Sequence, residues 1–256
     1  MNAQERQELY TLRWYLNNKW GDHNSQDEAL DILNSLIGEN PPQNRDGNSE
    51  EANQKLLWYP AAKTGYKKAI TRGSYKGGYP KGAIVHFTAG RRNGLSTGID
   101  LQRSTKMCYF LIDENGEVAQ NFPLDEWGYH AGKSKWSGLS GSVSDELVGI
   151  EVMCGGKLTE KNGKWYTWFN KEIPAKERRK VSKKDNIIAG TYHAYTEEQE
   201  DALTGLLIWL HKNNKDTFSL DLVLGHDEVS PGRKNDPGGS LSMTMKQYRT
   251  HLKSLL

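Results

Sequence analysis

Residues 225–238 combine metal-binding and charged side chains with turn-forming residues. His226 and Asp236 both lie in this segment, and Lys234 precedes the aspartate by two positions. Two prolines and three glycines among these fourteen residues exclude a regular helix over the whole segment. A loop that folds back must therefore bring His226 and Asp236 together, and a third metal ligand has to come from elsewhere in the chain.

A second histidine lies at the end of another predicted strand. The apolar run 83–87 contains His86, and the run 220–224 leads directly into Gly-His226. A lone histidine at a strand end is more often a hydrogen-bonded core residue than a ligand. Two such histidines together with Asp236 match a catalytic zinc site, in which three protein ligands leave one position for a water whose pKa falls towards about 7. The two strands should then be neighbours that run in the same direction.

The elements that must position these residues indicate a layered fold. Apolar runs predict further strands at 107–112, 117–122 and 147–154, and helical patterns predict helices at 99–106, 196–212 and 243–255. Asn115-Gly116 is the strongest hairpin signal between two of these strands. Strands that alternate with helices predict an α/β fold with a central mixed β-sheet flanked by helices.

The first part of the chain differs in composition from the rest. Residues 1–40 carry helical leucine patterns and predict a small helical appendage, and the Pro, Asn, Asp and Gly of residues 41–55 are typical of a linker. We expect a catalytic domain over 56–256, with a polar insertion at about 156–195. The appendage could be a packing accessory or a targeting or wall-binding element.

Composition limits the classes of partner. The 256 residues have a formal net charge of +2, which is too small to indicate nucleic-acid binding. No apolar run is long enough to span a bilayer, so membrane insertion is not expected. The residues after Met1 lack the basic and apolar regions of a signal peptide, so we expect synthesis in the cytoplasm without one, and we expect a monomer.

Four short motifs occur in a fixed order along the chain. They are Ile-Val-His-Phe-Thr-Ala-Gly at 84–90, Trp-Gly-Tyr-His-Ala-Gly at 127–132, Gly-Ile-Glu at 149–151, and the segment 225–238. Together they resemble the zinc-dependent N-acetylmuramoyl-L-alanine amidases of the type 2 family, which includes phage endolysins and peptidoglycan recognition proteins. The resemblance extends from about residue 80 to about residue 242, and it implies the fold of that family.

The resemblance implies a role for individual residues. His86, His226 and Asp236 match the family's zinc ligands. Lys234 matches a residue that helps to stabilise the oxyanion, and Glu151 matches the general base that some members use. Alternatives from the residues alone are a solvated loop charge for Lys234 and a structural ion pair for Glu151.

The resemblance also implies a set of substrate-binding residues. These are Thr88, Trp127, His130 and Ala131, of which the last two lie in a loop that matches the family's cleft wall. His130 has two further interpretations, as a hydrogen-bonding partner of a metal ligand and as an ordinary loop histidine.

The sequence departs from the family pattern at two places. Many relatives have His-Phe where this chain has Tyr109-Phe110, so any role of that histidine in the cleft is absent or shifted here. The insertion at 156–195 is longer than compact relatives need. Its aromatic residues, Trp165, Tyr166, Trp168 and Phe169, could line a groove for glycan and peptide or could cover a sheet edge.

The resemblance predicts zinc-dependent hydrolysis of the amide bond between N-acetylmuramic acid and L-alanine in peptidoglycan. We expect a phage endolysin that acts on the bacterial cell wall, in the periplasm. One alternative is a non-lytic module that only binds muropeptides, although the presence of Asp236 favours an enzyme. The other is a cytoplasmic amidase that recycles soluble wall fragments.

Overall fold

The computed structural model describes residues 56–66, 70–99 and 110–256. The residues from Leu56 onward form one compact unit. The predicted appendage at 1–40, the predicted linker at 41–55 and Tyr109 lie outside the described residues. The described strands are β1 (Gly82–Phe87), β2 (Phe110–Ile112), β3 (Val118–Gln120), β4 (Leu147–Val152), β5 (Thr159–Lys161), β6 (Lys164–Tyr166), β7 (Arg178–Val181), β8 (Gly190–His193) and β9 (Val223–Gly225).

A five-stranded mixed sheet forms the centre of the fold, in the order β3-β2-β4-β1-β9. β1 lies between β4 and β9 and is parallel to both, β2 is parallel to β4, and β3 is antiparallel to β2. Ile84 of β1 is in register with Leu224 of β9. The prediction that the two histidine-bearing segments follow neighbouring, parallel strands is therefore confirmed.

Four α-helices lie wholly within the described residues. They are α1 (Val143–Glu146), α2 (Glu197–Asn213), α3 (His226–Val229) and α4 (Met245–Ser254). A capping box closes the start of α2, because the Thr196 side chain accepts from the backbone N–H of Gln199 and the Gln199 side chain accepts from the N–H of Thr196. The predicted helices at 196–212 and 243–255 are confirmed to within two residues at each end.

Side-chain alternation separates the two faces of the sheet. One face carries Val85, Val148 and Ile150, which share a cluster with buried leucines of α2 and with Tyr248 of α4. Burial of each such leucine contributes about 1.5–3 kcal/mol relative to an exposed position. The residues between them along each strand, which include His86 on β1, point to the opposite face, and this alternation places His86 on the face away from the main core.

The structure corrects the boundary of one predicted strand and confirms the predicted hairpin. Only 223–225 of the predicted strand 220–224 is extended, because Leu220–Leu222 forms a 3-10 turn whose start is capped by the Ser219 side chain. The predicted hairpin at 107–122 is present as β2 and β3, with Gly116 in its turn at φ +78°. Residues 95–99 are helical, and the rest of the predicted helix at 99–106 lies outside the described residues.

The insertion at 156–195 is ordered as two small antiparallel sheets. β5 pairs with β6, and β7 pairs with β8. Backbone hydrogen bonds from the N–H of Leu158 to the carbonyl of Thr191 and from the N–H of His193 to the carbonyl of Gly156 close its base. In the part of the chain that the structure describes, no helix has the length and apolar character needed to cross a membrane.

Candidate metal centre and active site

Two side chains from neighbouring strand ends and one from the loop after the second strand meet at one point. His86 lies near the end of β1, and His226 follows β9 directly as the first residue of α3. Their Nδ1 atoms lie 2.9 Å apart, and Asp236 Oδ2 lies 3.0 Å from the first and 2.9 Å from the second. All three side chains are buried. The predicted ligand set is therefore assembled in one place.

A short loop explains how Asp236 reaches His226. A single helical turn, α3, begins at His226, so the segment is not free of helix, but Asp236 lies in the loop beyond that turn. The backbone N–H of Asp227 donates to the carbonyl of Asp236 at 2.8 Å and closes the loop. The aspartate side chain thereby returns to the histidine that begins the turn.

Hydrogen bonds to the outer ring nitrogens fix the tautomers of both histidine ligands. His226 Nε2–H donates to the Ala131 carbonyl at 2.9 Å, which leaves its Nδ1 without a proton when the ring is neutral. His130 Nε2–H donates to the Leu147 carbonyl at 2.8 Å, so His130 Nδ1 accepts from His86 Nε2–H at 3.1 Å. Both ligands therefore direct an unprotonated Nδ1 at the meeting point.

Burial keeps the imidazoles of His86 and His130 neutral. Burial, and after it the neighbouring His226, lowers the pKa of His86 to about 4. Burial and the neighbouring His86 also hold the pKa of His130 well below its usual range. Neutral imidazole is the form that binds a metal ion, so His86 has the protonation state of a metal ligand near pH 7.

The chemistry of the three atoms fits a divalent cation. Two imidazole lone pairs and a carboxylate oxygen converge with no proton between them, and a cation relieves the repulsion among such atoms. Ligand atoms at about 2.0–2.1 Å from a tetrahedral zinc ion lie about 3.3 Å from one another. The observed separations of 2.9–3.0 Å need to change by only a few tenths of an ångström.

Glu151 lies beside the ligand set without an ion-pair partner. It is in register with His86 across the β1–β4 pair, and side chains at paired positions share a face of the sheet. Its Oε2 is buried and has no hydrogen-bond partner among the described residues. Burial, and then the charge of Asp236, raises the pKa of Glu151 to about 8, and Lys234 opposes this rise. A structural ion pair for Glu151 is absent from the described part of the chain.

Lys234 is half-buried in the loop before Asp236. Its charge lowers the pKa of Glu151 and of His86, so the ammonium lies within electrostatic reach of both. Within the described residues no carboxylate forms an ion pair with it. The arrangement can hold a cation at three ligands, with an acid–base group and a positive charge nearby.

A family comparison agrees with this geometry. Residues 76–239, more than half of the chain, match the model of the N-acetylmuramoyl-L-alanine amidase family. The chain belongs to the N-acetylmuramoyl-L-alanine amidase family. The matched range contains every predicted ligand as well as Glu151 and Lys234.

Solved structures of amidases are similar to this chain at low identity. An AmpD derivative is 19% identical with a TM-score of 0.48, and the match covers 78% of this chain and 97% of that one. AmiD from E. coli, in complex with anhydro-N-acetylmuramic acid-L-Ala-D-gamma-Glu-L-Lys, is 20% identical with a TM-score of 0.46, and the match covers 71% of this chain and 61% of that one. The endolysin LysCS from Clostridium intestinale is 15% identical with a TM-score of 0.41, and the match covers 75% and 98% of the two chains. No curated protein sequence matches the chain with significance.

The four predicted substrate-binding residues occupy different environments in this amidase-family domain. His130 is buried behind His86, which gives it the geometry of a partner to a ligand. The Ala131 carbonyl accepts from His226, and Thr88 Oγ1 accepts from the N–H of Cys154 at 3.3 Å. Trp127 is partly buried. Substrate contacts by these four residues remain predictions.

Two residues near the centre were not identified from the sequence. Arg233 donates from Nη2 to the carbonyls of Ala131 and Lys133 at 2.9 and 3.0 Å, and so joins the ligand loop to the 130–134 loop. Gly149 leaves the space that the His130 ring occupies, since an added Cβ would lie 2.7 Å from its Cγ. For Arg233 the sequence offers one signal, its position next to Lys234. For Gly149 it offers none beyond the residue's place in the Gly-Ile-Glu motif.

Proposed function

We propose that the protein is a zinc-dependent amidase that cleaves the bond between N-acetylmuramic acid and L-alanine in peptidoglycan. The observation that carries the proposal is the set of three convergent, unprotonated ligand atoms with an unpaired carboxyl group beside them, in a chain of this family. The complete ligand set favours an enzyme over a module that only binds muropeptides.

Zinc is the cofactor that we propose for the three ligands. When bound, the ion polarises the amide carbonyl and lowers the pKa of the attacking water. His86, His226 and Asp236 would hold it, and their buried positions keep the ligand atoms in place before substrate arrives.

We propose that Glu151 moves the protons of the reaction. Its carboxylate takes a proton from the attacking water, and the resulting acid gives that proton to the nitrogen of the departing L-alanine. A carboxyl group with a pKa raised to about 8 is suited to both directions, because its acid and base forms are close in free energy near neutral pH.

We propose that Lys234 stabilises the charge that develops on the carbonyl oxygen. A lysine ammonium in a half-buried loop is a fixed positive charge in surroundings that screen it less than bulk water does. The transition state of amide hydrolysis carries more negative charge on this oxygen than the ground state, so the contact lowers the barrier.

We further propose that the protein acts on the intact cell wall as an endolysin, after synthesis in the cytoplasm. The insertion supports a polymeric substrate, because it carries an exposed tryptophan, Trp168, whose indole N–H donates to the Ala89 carbonyl, three residues after His86. A recycling enzyme would act on small soluble muropeptides instead. Clearing of purified sacculi by the protein, compared with cleavage of small muropeptides, separates these two functions.

The activity itself is tested by incubating purified peptidoglycan with the protein and measuring new L-alanine amino termini. We expect activity that is lost on treatment with a chelator and restored by zinc, and His226→Ala should be inactive. His251→Ala, at an exposed position on α4, is the matched control and should keep wild-type activity. Undiminished activity of the metal-free protein or of His226→Ala would contradict the zinc mechanism.

A further inference from the structure

The insertion and the loop after His86 leave the sheet at the same edge. β1 and β4 are parallel, so the loops that follow them both begin at the carboxyl ends of strands, where the metal centre lies. The two loops stay side by side. The N–H of Thr88 donates to the Val152 carbonyl at 3.1 Å, and the N–H of Gly90 donates to the Cys154 carbonyl at 3.0 Å. The hairpin β5–β6 therefore arises beside the centre.

Trp168 follows this hairpin and has an unusual combination of exposure and restraint. Trp168 is 74% exposed, yet its indole N–H donates to the carbonyl of Ala89. Phe169 packs edge-on against it with ring centroids 5.5 Å apart, and the Arg91 guanidinium lies 4.8 Å from the centre of the Phe169 ring. The polar edge of the indole is satisfied, so its aromatic face is what remains for a ligand.

The distance from Trp168 to the centre is limited by the chain. Ala89 lies three residues after His86, so the Cα atoms of these two residues are at most about 10–11 Å apart, and the Trp168 indole nitrogen lies one hydrogen bond beyond the Ala89 carbonyl. In the proposed substrate the cleaved amide is attached to a sugar through its lactyl group, so the neighbouring sugars of the glycan strand lie close to the cleavage point. An exposed ring held on the loop that follows His86 can contact the strand while the amide occupies the centre.

The neighbourhood of the ring favours a sugar over the stem peptide. The stem peptide carries carboxylates, which would be bound by free cations. The cations near the ring are already engaged, since Lys161 donates to Asn170 at 2.8 Å, Lys164 pairs with Glu172 at 3.0 Å, and the Arg91 guanidinium lies over the Phe169 ring. A neutral sugar needs no cation, and its C–H faces pack on a flat aromatic surface that is held in one orientation.

We propose that Trp168 is a saccharide-binding platform for the glycan strand that carries the cleaved amide. The inference rests on the proposed function as a peptidoglycan amidase and extends it to a polymer-binding subsite contributed by the insertion. The ligand class is an oligosaccharide of alternating N-acetylated amino sugars.

The test compares full-length wild type, Trp168→Ala, Trp168→Phe and Trp58→Ala, the last being a control at another exposed tryptophan. Calorimetry measures binding of glycan oligosaccharides from which all peptides have been removed. Trp168→Ala should weaken this binding about tenfold, and Trp168→Phe should weaken it less because a ring face remains. Steady-state assays give kcat/KM for uncrosslinked glycan strands and for a single-sugar muropeptide. In Trp168→Ala the ratio of the first value to the second should fall about tenfold, because KM for the glycan strands rises.

The outcomes separate the inference from the proposed function. Equal glycan binding by wild type and Trp168→Ala would overturn the platform, as would an equal loss on both substrates. A loss of activity that depends on the length of the stem peptide would also overturn the inference, because it would indicate that the Trp168 ring contacts the peptide. Absence of amide cleavage by the wild type would instead contradict the proposed function, and the peptide-free binding measurement would still test the platform.

Discussion

Replacement of His130 tests whether the hydrogen bonds behind the centre control metal binding. In His130→Ala, the His86 Nε2–H loses its acceptor and the Leu147 carbonyl loses its donor. His86 is then free to change tautomer and place its proton on Nδ1, the atom that faces the centre. Loss of such a partner of a metal ligand typically costs about 10- to 100-fold in metal affinity, or about 1.4–2.8 kcal/mol.

The domain should remain folded in this variant, which makes the measurement possible. Two buried polar groups without partners cost about 1–3 kcal/mol each, less where water enters the vacated space. Domain stabilities are about 5–15 kcal/mol. The zinc dissociation constant is measured by competition with a chromophoric chelator, alongside circular dichroism to confirm folding.

A second substitution distinguishes the hydrogen bonds from packing. His130→Gln retains an oxygen that can accept from His86 and an N–H group that can donate to Leu147, so it should recover part of the lost affinity. His251→Ala controls for the loss of an exposed histidine. A zinc affinity of His130→Ala within twofold of wild type would refute the reasoning, because the tautomer of His86 would then not depend on His130.

Three further predictions follow from the same contacts. Glu151→Gln should lower kcat by about 10²–10⁴-fold while zinc content is preserved, and unchanged turnover would remove Glu151 from the mechanism. Because the pKa of Glu151 rises from 4.5 to about 8 on folding, this carboxyl group contributes stability to the metal-free protein at low pH that is lost as the pH rises through that range, since the unfolded chain releases the proton first. Urea titrations at several pH values should therefore show that the stability of wild type relative to Glu151→Gln falls over this range. Gly149→Ala should weaken zinc binding by displacing His130, whose Cγ would lie 2.7 Å from the new methyl group, and an unaltered dissociation constant would show that the ring can move without cost.

The relation between the two histidine-bearing strands could be predicted from sequence because its determinants are local. An apolar run of strand length that ends at a histidine specifies a buried strand and the position of that side chain at its exit. The need for three ligands on one ion then requires the two strands to be neighbours. The pairing of Ile84 with Leu224 satisfies that requirement.

The contacts behind the centre could not be predicted in this way because backbone atoms from distant segments make them. The acceptors for His130 and His226 are the carbonyls of Leu147 and Ala131, 17 and 95 positions away from the respective histidines. Carbonyl groups occur at every residue, so no residue type indicates which of them will be used. The motif around His130 carried the resemblance, but the choice between a cleft contact and a ligand partner required the tertiary structure.

The insertion shows a second limit of local patterns. Its strands β5 and β6 have three residues each, and the β5 residues are all exposed, so neither hydrophobic periodicity nor length distinguishes them from loop. The exposed side chain of Trp168 is equally ambiguous in sequence, where a groove lining and an edge cover look alike. The hydrogen bond to Ala89 identifies which part of the ring is left free.

The separation of the ligands along the chain has a consequence for how the domain folds. His86 and Asp236 are 150 positions apart, and β9, which positions His226, has only three residues. A bound ion would therefore act as a cross-link that closes a very long loop. The entropy that a cross-link removes from the unfolded chain increases with the length of the loop it closes. Ion binding and the docking of β9 against β1 should be coupled, so the last strand of the sheet is expected to be the first to detach when the metal is withdrawn.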